Sequence, residues 1–341
     1  MKNSKRYLFF AIFLLFLVIL TVLILLNGLS FSLVLSYLKK IKIEYIIICL
    51  IISILYFLLQ GIYMKLILNS LNHKISLKRG LFYSMTEFYF SGITPSSTGG
   101  QPAQLYYMTK DKIPIRKSYI VLILNTIYFK LIIFILGIVV FIIGWNYILS
   151  KSLVYIFFFL LGLLVDFIII VFSCLMLFKQ NIIKKVLSYI ILIASKFNFL
   201  KNKVKSINVD DVLKKYKNEL NYIKSHKKLI ILTFILTFIQ RLLLFSIIYV
   251  IYRSLGFSSY NYFDLLIIQI SVQVVIEAYP LPGGTGLSEE MINRFFSNLG
   301  LEFSAVLMLL TRMFSFYIPL IISGTAVLIG NIKKTFVKKL N

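Results

Sequence analysis

At 341 residues, 60% of them hydrophobic and only 14% charged, with a mean hydropathy of +0.91, the chain carries more apolar surface than a soluble domain of its length buries. The aqueous fold classes are thereby excluded, and the bilayer is its solvent. The net charge of +25 does not indicate nucleic acid, because the lysines punctuate apolar runs and form no basic patch interleaved with exposed aromatics.

The chain opens with "MKNSKR", then runs uncharged from Tyr7 to Leu26. At about 1.5 Å per residue, some twenty residues cross a hydrocarbon core of roughly 30 Å. No small-residue cleavage site accompanies the run, which predicts a retained first span rather than a signal peptide. Full spans are predicted at 7–27, 45–68, 118–144, 153–178, 229–252 and 303–329. Phe31 to Ile43 reads as an interfacial helix on the outer side, and Trp145 falls where aromatic belts occur. With the N-terminus inside, 27 Lys and Arg residues lie in cytoplasmic segments and five outside. That bias predicts cytoplasmic N- and C-termini.

This orientation closes only if the stretches around Pro95 and Pro280 each enter and leave on one side. Residues 81–94 and 263–279 are shorter or more polar than the spans, and each ends at a Pro/Gly break. The first predicts a re-entrant helical hairpin from the cytoplasm and the second one from outside. The unit of span, hairpin and span thus occurs at 45–144 and again, inverted, at 229–329, with "TPSSTGGQPAQ" set against "YPLPGGTGLSE". Inverted repeats with broken helices are a recurring transporter architecture. The fold class expected is an all-α integral membrane bundle of about six full spans plus two re-entrant hairpins in inverted repeats. It forms one domain over 1–341: a first half 1–178, a basic cytoplasmic connector 179–228 and a second half 229–341.

Non-helical backbone in lipid leaves polar groups unpaired at several kcal/mol each, so a break implies burial in protein or a polar cavity. Gly99 and Gly100 are expected to take backbone conformations closed to other residues, and Pro102 suits the first turn of a following helix. A helix starting near Gln101 would aim its free N–H groups and positive dipole end at the break, an anion site with Gln104 beside it. The second break repeats the pattern with Gly283, Gly284, Gly286 and Ser288 as N-cap. A phosphate headgroup is the natural ligand; the competing reading is that both breaks only cap short helices against their neighbours.

Charges within the apolar segments sharpen the picture. Lys130, Asp166, Arg241 and Arg312 sit near the middle of spans, where a lone charge costs at least roughly 2.5–3.5 kcal/mol. Glu87 and Glu277 occupy comparable positions in the two hairpins, and Glu289, Glu290 and Arg294 follow the second break. Arg241 and Arg312 flank the second hairpin, which makes Glu277 or Glu289 their expected partners. Buried structural ion pairs would account for any one of these residues; the set together marks a path for a polar group. Lys65, near a span end, is expected to snorkel.

The connector 181–228 is lysine-rich with apolar positions such as Ile190, Phe197 and Val204. It reads equally as a segment lying on the anionic inner leaflet or as a plain linker. Catalytic signatures are missing: there is no HExxH, phosphate loop, CxxC or GxSxG. His73 and His226 fall among lysines in loops, and Cys49 and Cys174 lie inside spans as small fillers. Ser96, Ser97 and Thr98 have no histidine at their depth and are assigned hydrogen bonding. No catalytic residue, metal or cofactor is expected.

"PSSTGGQPAQL" and "PLPGGTGLSEE", in a chain of this length and hydropathy, resemble the lysylphosphatidylglycerol synthase transmembrane-domain family, which includes the flippase half of the bacterial multiple peptide resistance factor. Gly99, Gly100, Pro102, Gln104, Pro282, Gly283, Gly284, Gly286 and Glu289 match its motif positions. The resemblance implies movement of a phospholipid, such as aminoacylated phosphatidylglycerol or a glycolipid, between leaflets of a bacterial cytoplasmic membrane, with resistance to cationic peptides as the outcome. Glycine N–H groups with Arg241 or Arg312 would hold the phosphate, and Glu277, Glu289 or Asp166 a cationic headgroup moiety. The family name also suggests a phosphatidylglycerol lysyltransferase-type enzyme or its membrane subunit, although no soluble aminoacyl-transfer domain follows Asn341. A scaffold that docks a synthase is a third class. Expected partners are an anionic or aminoacylated phospholipid, with a separate lipid-modifying synthase or a second copy of the chain as protein candidates, and no nucleic acid.

Overall fold

In lipid the backbone must satisfy its own hydrogen bonds, so long apolar runs fold as helices. A computed structural model describes residues 41–94, 97–144, 153–179, 209–278 and 301–340, with isolated positions beside them. The elements are α1 (Ile43–Ser70), α2 (Leu77–Gly92), α3 (Gly100–Lys110), α4 (Ile115–Ile143), α5 (Leu153–Phe178), α6 (Val209–Ser225), α7 (Lys227–Ser254), α8 (Tyr262–Glu277), α9 (Leu301–Arg312) and α10 (Ile318–Leu340), the last two joined by a π turn over Met313–Tyr317. Five helical stretches are long and apolar enough to cross a membrane: Ile43–Ser70, Ile115–Ile143, Tyr155–Phe178, Lys227–Ser254 and Phe303–Gly330. Each contains most of a predicted span. The predicted span 7–27, most of the helix at 31–43, Trp145 and the connector before residue 209 lie outside the described residues.

Four element ends meet at one end of the bundle. Lys117, in the first turn of α4, donates from Nζ to Leu71 O at the end of α1. Arg79, near the start of α2, pairs with Asp111 just beyond α3, and Tyr83 Oη donates to the same carboxylate at 2.6 Å. α2 and α3 therefore form a helical hairpin with both feet at this end. The return limb was legible only as a helix starting near Gln101; its eleven residues, Gly100–Lys110, span only about 16 Å. Two donors on one partly buried carboxylate are expected to hold the feet together. Asp111→Asn should cost about 1.5–3 kcal/mol, read as a lower thermal midpoint in detergent; an unchanged midpoint would show the feet are held by packing alone.

α6 lies across the same end. It buries Tyr216, Leu220 and Ile223, donates from Tyr216 Oη to Leu177 O at 2.8 Å and pairs Glu219 with Arg116 at 3.0 Å. The described part of the connector thus turns its apolar side to the bundle. Lys74, Lys78, Lys110, Lys112, Lys224, Lys227 and Lys228 collect here. His73 shares this end; burial lowers its pKa below the ordinary histidine value, with Lys117 adding to the effect and Asp111 opposing it, so the ring is neutral at pH 7.

α8 starts at the opposite end with a capping box: Asn261 Oδ1 accepts from Asp264 N at 3.0 Å, and Asp264 Oδ2 accepts from Asn261 N at 2.9 Å. It runs inward and stops at Glu277. The packing pairs α1 with α7, α2 with α10 and α8 with α4, an arrangement that exchanging the two halves leaves unchanged. In the last span, Pro319 has no N–H to give residue 315, and the helix widens immediately before it. The Phe314 carbonyl there accepts from Ser53 Oγ of α1 at 2.9 Å.

Candidate functional site

The tip of the first hairpin shows why two glycines stand there. The expectation of special torsions is corrected: Gly99 has φ −80°, Gly100 begins an ordinary helix, and the positive φ of the turn falls on Ser97, at 54°. The glycines supply space instead. A Cβ on Gly100 would sit 2.1 Å from Ser91 Oγ and 2.8 Å from Glu87 O, so α3 lies directly on α2. Gly99 N donates to Thr94 Oγ1 at 2.8 Å, which occupies one N–H assigned to an anion. Gln101 Nε2 donates to Thr126 Oγ1 of α4, and the fully buried Gln104 donates to Tyr83 O at 3.0 Å. Both glutamines thus bind neighbouring helices.

Below this tip a polar track crosses the bundle. Glu87 Oε2 accepts from Gln60 Nε2 at 3.1 Å. Gln60 Oε1 accepts in turn from Ser84 Oγ at 3.0 Å and Gln240 Nε2 at 3.3 Å. Gln240 also donates to Tyr56 O at 2.9 Å, and the next residue, Arg241, donates from Nη1 to Tyr56 Oη at 3.2 Å. The Arg241 guanidinium lies 3.9 Å from the Phe129 ring centre, and Lys130 Nζ lies 5.4 Å from that same centre. One aromatic ring therefore touches both cations. Arg241 is only 9% exposed, its Nε has no acceptor, and among the described residues no carboxylate reaches ion-pair distance of it.

Lys130 ends the track in a cluster drawn from three helices. Its Nζ lies 3.0 Å from Asp166 Oδ1 of α5 and pairs with Glu277 at the inner end of α8, whose other oxygen accepts from Gln273 Nε2 at 3.1 Å. Asp166 is wholly buried, and despite the short approach of Lys130 neither of its oxygens receives a well-directed hydrogen bond from the described residues. Tyr56, Lys130, Asp166 and Arg241 each stand near the midpoint of their helix, so the track runs at mid-depth.

The predicted mid-depth charges Glu87, Lys130, Asp166, Arg241 and Glu277 thus belong to one constellation. The pairing differs from expectation: Glu277 is held by Lys130 and not by Arg241, because α8 packs on α4 and α5 with its last turn facing Lys130. Arg312 lies at the end of α9, its guanidinium 4.5 Å from the Phe316 ring centre. Gly283, Gly284, Gly286, Ser288, Glu289, Glu290 and Arg294 lie outside the described residues. The sequence reading missed Tyr56, Gln60, Phe129 and Gln240. Gln60 and Gln240 were detectable, since an amide in an apolar run requires buried partners just as a charge does.

These observations define a polytopic helical membrane protein in which a helical hairpin and an interrupted helix meet a line of polar and ionised groups at half the bundle's depth. The chain belongs to the family described as the Lysylphosphatidylglycerol synthase TM region, whose pattern matches residues 8–323. It is also similar to a UPF0104 membrane protein of Archaeoglobus fulgidus, 25% identical over 314 residues that cover 89% of this chain and 92% of that protein.

Proposed function

We propose that the protein translocates a phospholipid between the leaflets of the cell membrane, its headgroup passing along the mid-depth track while its acyl chains stay in lipid. Arg241 carries this reading. A guanidinium is a planar fork of donors suited to oxyanions; buried at mid-depth with, among the described residues, a hydroxyl and aromatic rings in contact and no carboxylate at ion-pair distance, it is a desolvated cation matched to an oxyanion such as a phosphate. Lys130 is the second cation within reach, and Asp166, Glu277 and Glu87 line the route with the acceptors a cationic or glycosylated headgroup would use.

Further support comes from the packing symmetry of the two halves and from the basic end of the bundle. We read α2–α3 as a re-entrant hairpin from the cytoplasmic side and α8 as the descending limb of its inverted counterpart from outside. Both chain termini then lie in the cytoplasm. The family's name is consistent with an aminoacylated phosphatidylglycerol as cargo.

Proteoliposomes carrying fluorescent phosphatidylglycerol, quenched from outside, measure the exchange between leaflets. Arg241→Gln is expected to slow it by about ten- to a hundredfold, the rate equivalent of losing a charged hydrogen bond. Wild-type speed in that variant would exclude Arg241 as the headgroup site and the reading with it.

A further inference from the structure

We propose that Asp166 and Glu277 take up and release one proton as a headgroup passes, so that lipid movement is coupled to proton movement; this rests on the translocase reading above. Two carboxylates from α5 and α8 share a single ammonium, Lys130, and Asp166 is sealed from solvent with neither oxygen well hydrogen-bonded. Among the described residues the groups facing the pair are few. α4 supplies Lys130, α8 adds the Gln273 amide, and α7 brings Arg241 to within 3.9 Å of the Phe129 ring centre.

An anionic phosphate arriving between Arg241 and Lys130 draws the ammonium toward itself. Two neighbouring carboxylates without their counter-ion do not both stay charged away from water, and one binds a proton. When the phosphate leaves, Lys130 returns and the proton departs. One proton accompanies one monoanionic headgroup, so the loaded step moves no net charge. Among the described residues a metal cation finds too few oxygens: both Glu277 oxygens already accept from nitrogen donors, and the two on Asp166 fall short of the six or so that hard cations gather.

The test uses the full chain in liposomes with fluorescent phosphatidylglycerol as the probe, a trapped pH dye, and potassium with valinomycin to clamp the membrane potential. An imposed pH gradient is expected to drive net lipid redistribution, with about one proton appearing per lipid, and Asp166→Asn should abolish the gradient-driven part. Lipid movement that ignores the pH gradient, or follows a sodium gradient instead, overturns the coupling while leaving the translocase reading in place; no lipid movement at all removes both. Infrared difference spectra of the protein in nanodiscs supply a readout independent of transport. A protonated-carboxyl band is expected in the wild type when phosphatidylglycerol replaces phosphatidylcholine in the disc, and should be lost in Asp166→Asn, with Glu277→Gln as the second variant should the first misfold. A spectrum without that band counts against the proposal.

Discussion

Lys130→Met is expected to destabilise the folded protein by about 3–5 kcal/mol, the range found when one partner of a buried ion pair is removed and the other is left uncompensated. Asp166 and Glu277 both depend on that ammonium, which places the loss in the upper part of that range. Methionine keeps much of the side chain's length and apolar volume, so the loss reports charge rather than a cavity. Adding Asp166→Asn to Lys130→Met should restore part of the stability, since it removes one of the two stranded charges. Unfolding midpoints of the two single variants and the double variant in one detergent check this. Strictly additive losses would show that the groups do not interact.

Gly162→Ala should lower both stability and leaflet exchange, although it adds a single methyl group. A Cβ at this position would lie 2.0 Å from Val274 O and 2.9 Å from Val274 C. Those are backbone atoms of α8, and no rotamer change relieves the contact. The two helices must separate, which costs about 1–3 kcal/mol as overpacking. Asp166 lies one turn beyond Gly162 on α5, and Glu277 one turn beyond Val274 on α8. Separation at the glycine therefore also loosens both carboxylates from Lys130. Leaflet exchange should fall several-fold in Gly162→Ala but remain near wild type in Leu164→Ala, whose side chain is 53% exposed on the outer surface of the bundle. Equal rates in the two variants would mean that close contact of α5 and α8 is not needed for the cluster to work.

Much of this architecture is legible in the sequence because the bilayer makes a few rules strict. An uncharged, mostly apolar run such as Tyr45 to Met64 has no alternative to helix, and a Lys, Asp or Glu inside such a run must be satisfied by protein. Lys130, Asp166 and Glu277 stand out for that reason. Their pairing does not follow from the same rules. Residues 130 and 277 are 147 positions apart, and proximity along the chain favours Arg241, a competing cation whose helix adjoins α8. The Gly99–Gly100 pair illustrates a second limit. Glycine answers equally to a torsion no other residue tolerates and to a space no side chain fits, and only the position of Ser91 and Glu87 shows that the second applies. The role of Phe129 is invisible in a chain with 31 phenylalanines, because an aromatic side chain in an apolar run announces nothing about the cations beside it.

The mid-depth track draws Glu87, Tyr56, Lys130 and Asp166 from before the basic connector and Gln240, Arg241 and Glu277 from after it. Among the described residues neither portion holds the whole cluster: the earlier one would leave Lys130 with Asp166 but without Glu277, and the later one would carry Glu277 without Lys130. A polypeptide severed between them would regain activity only by reassembling both pieces in the same membrane, and co-expression should rescue what either fragment lacks by itself.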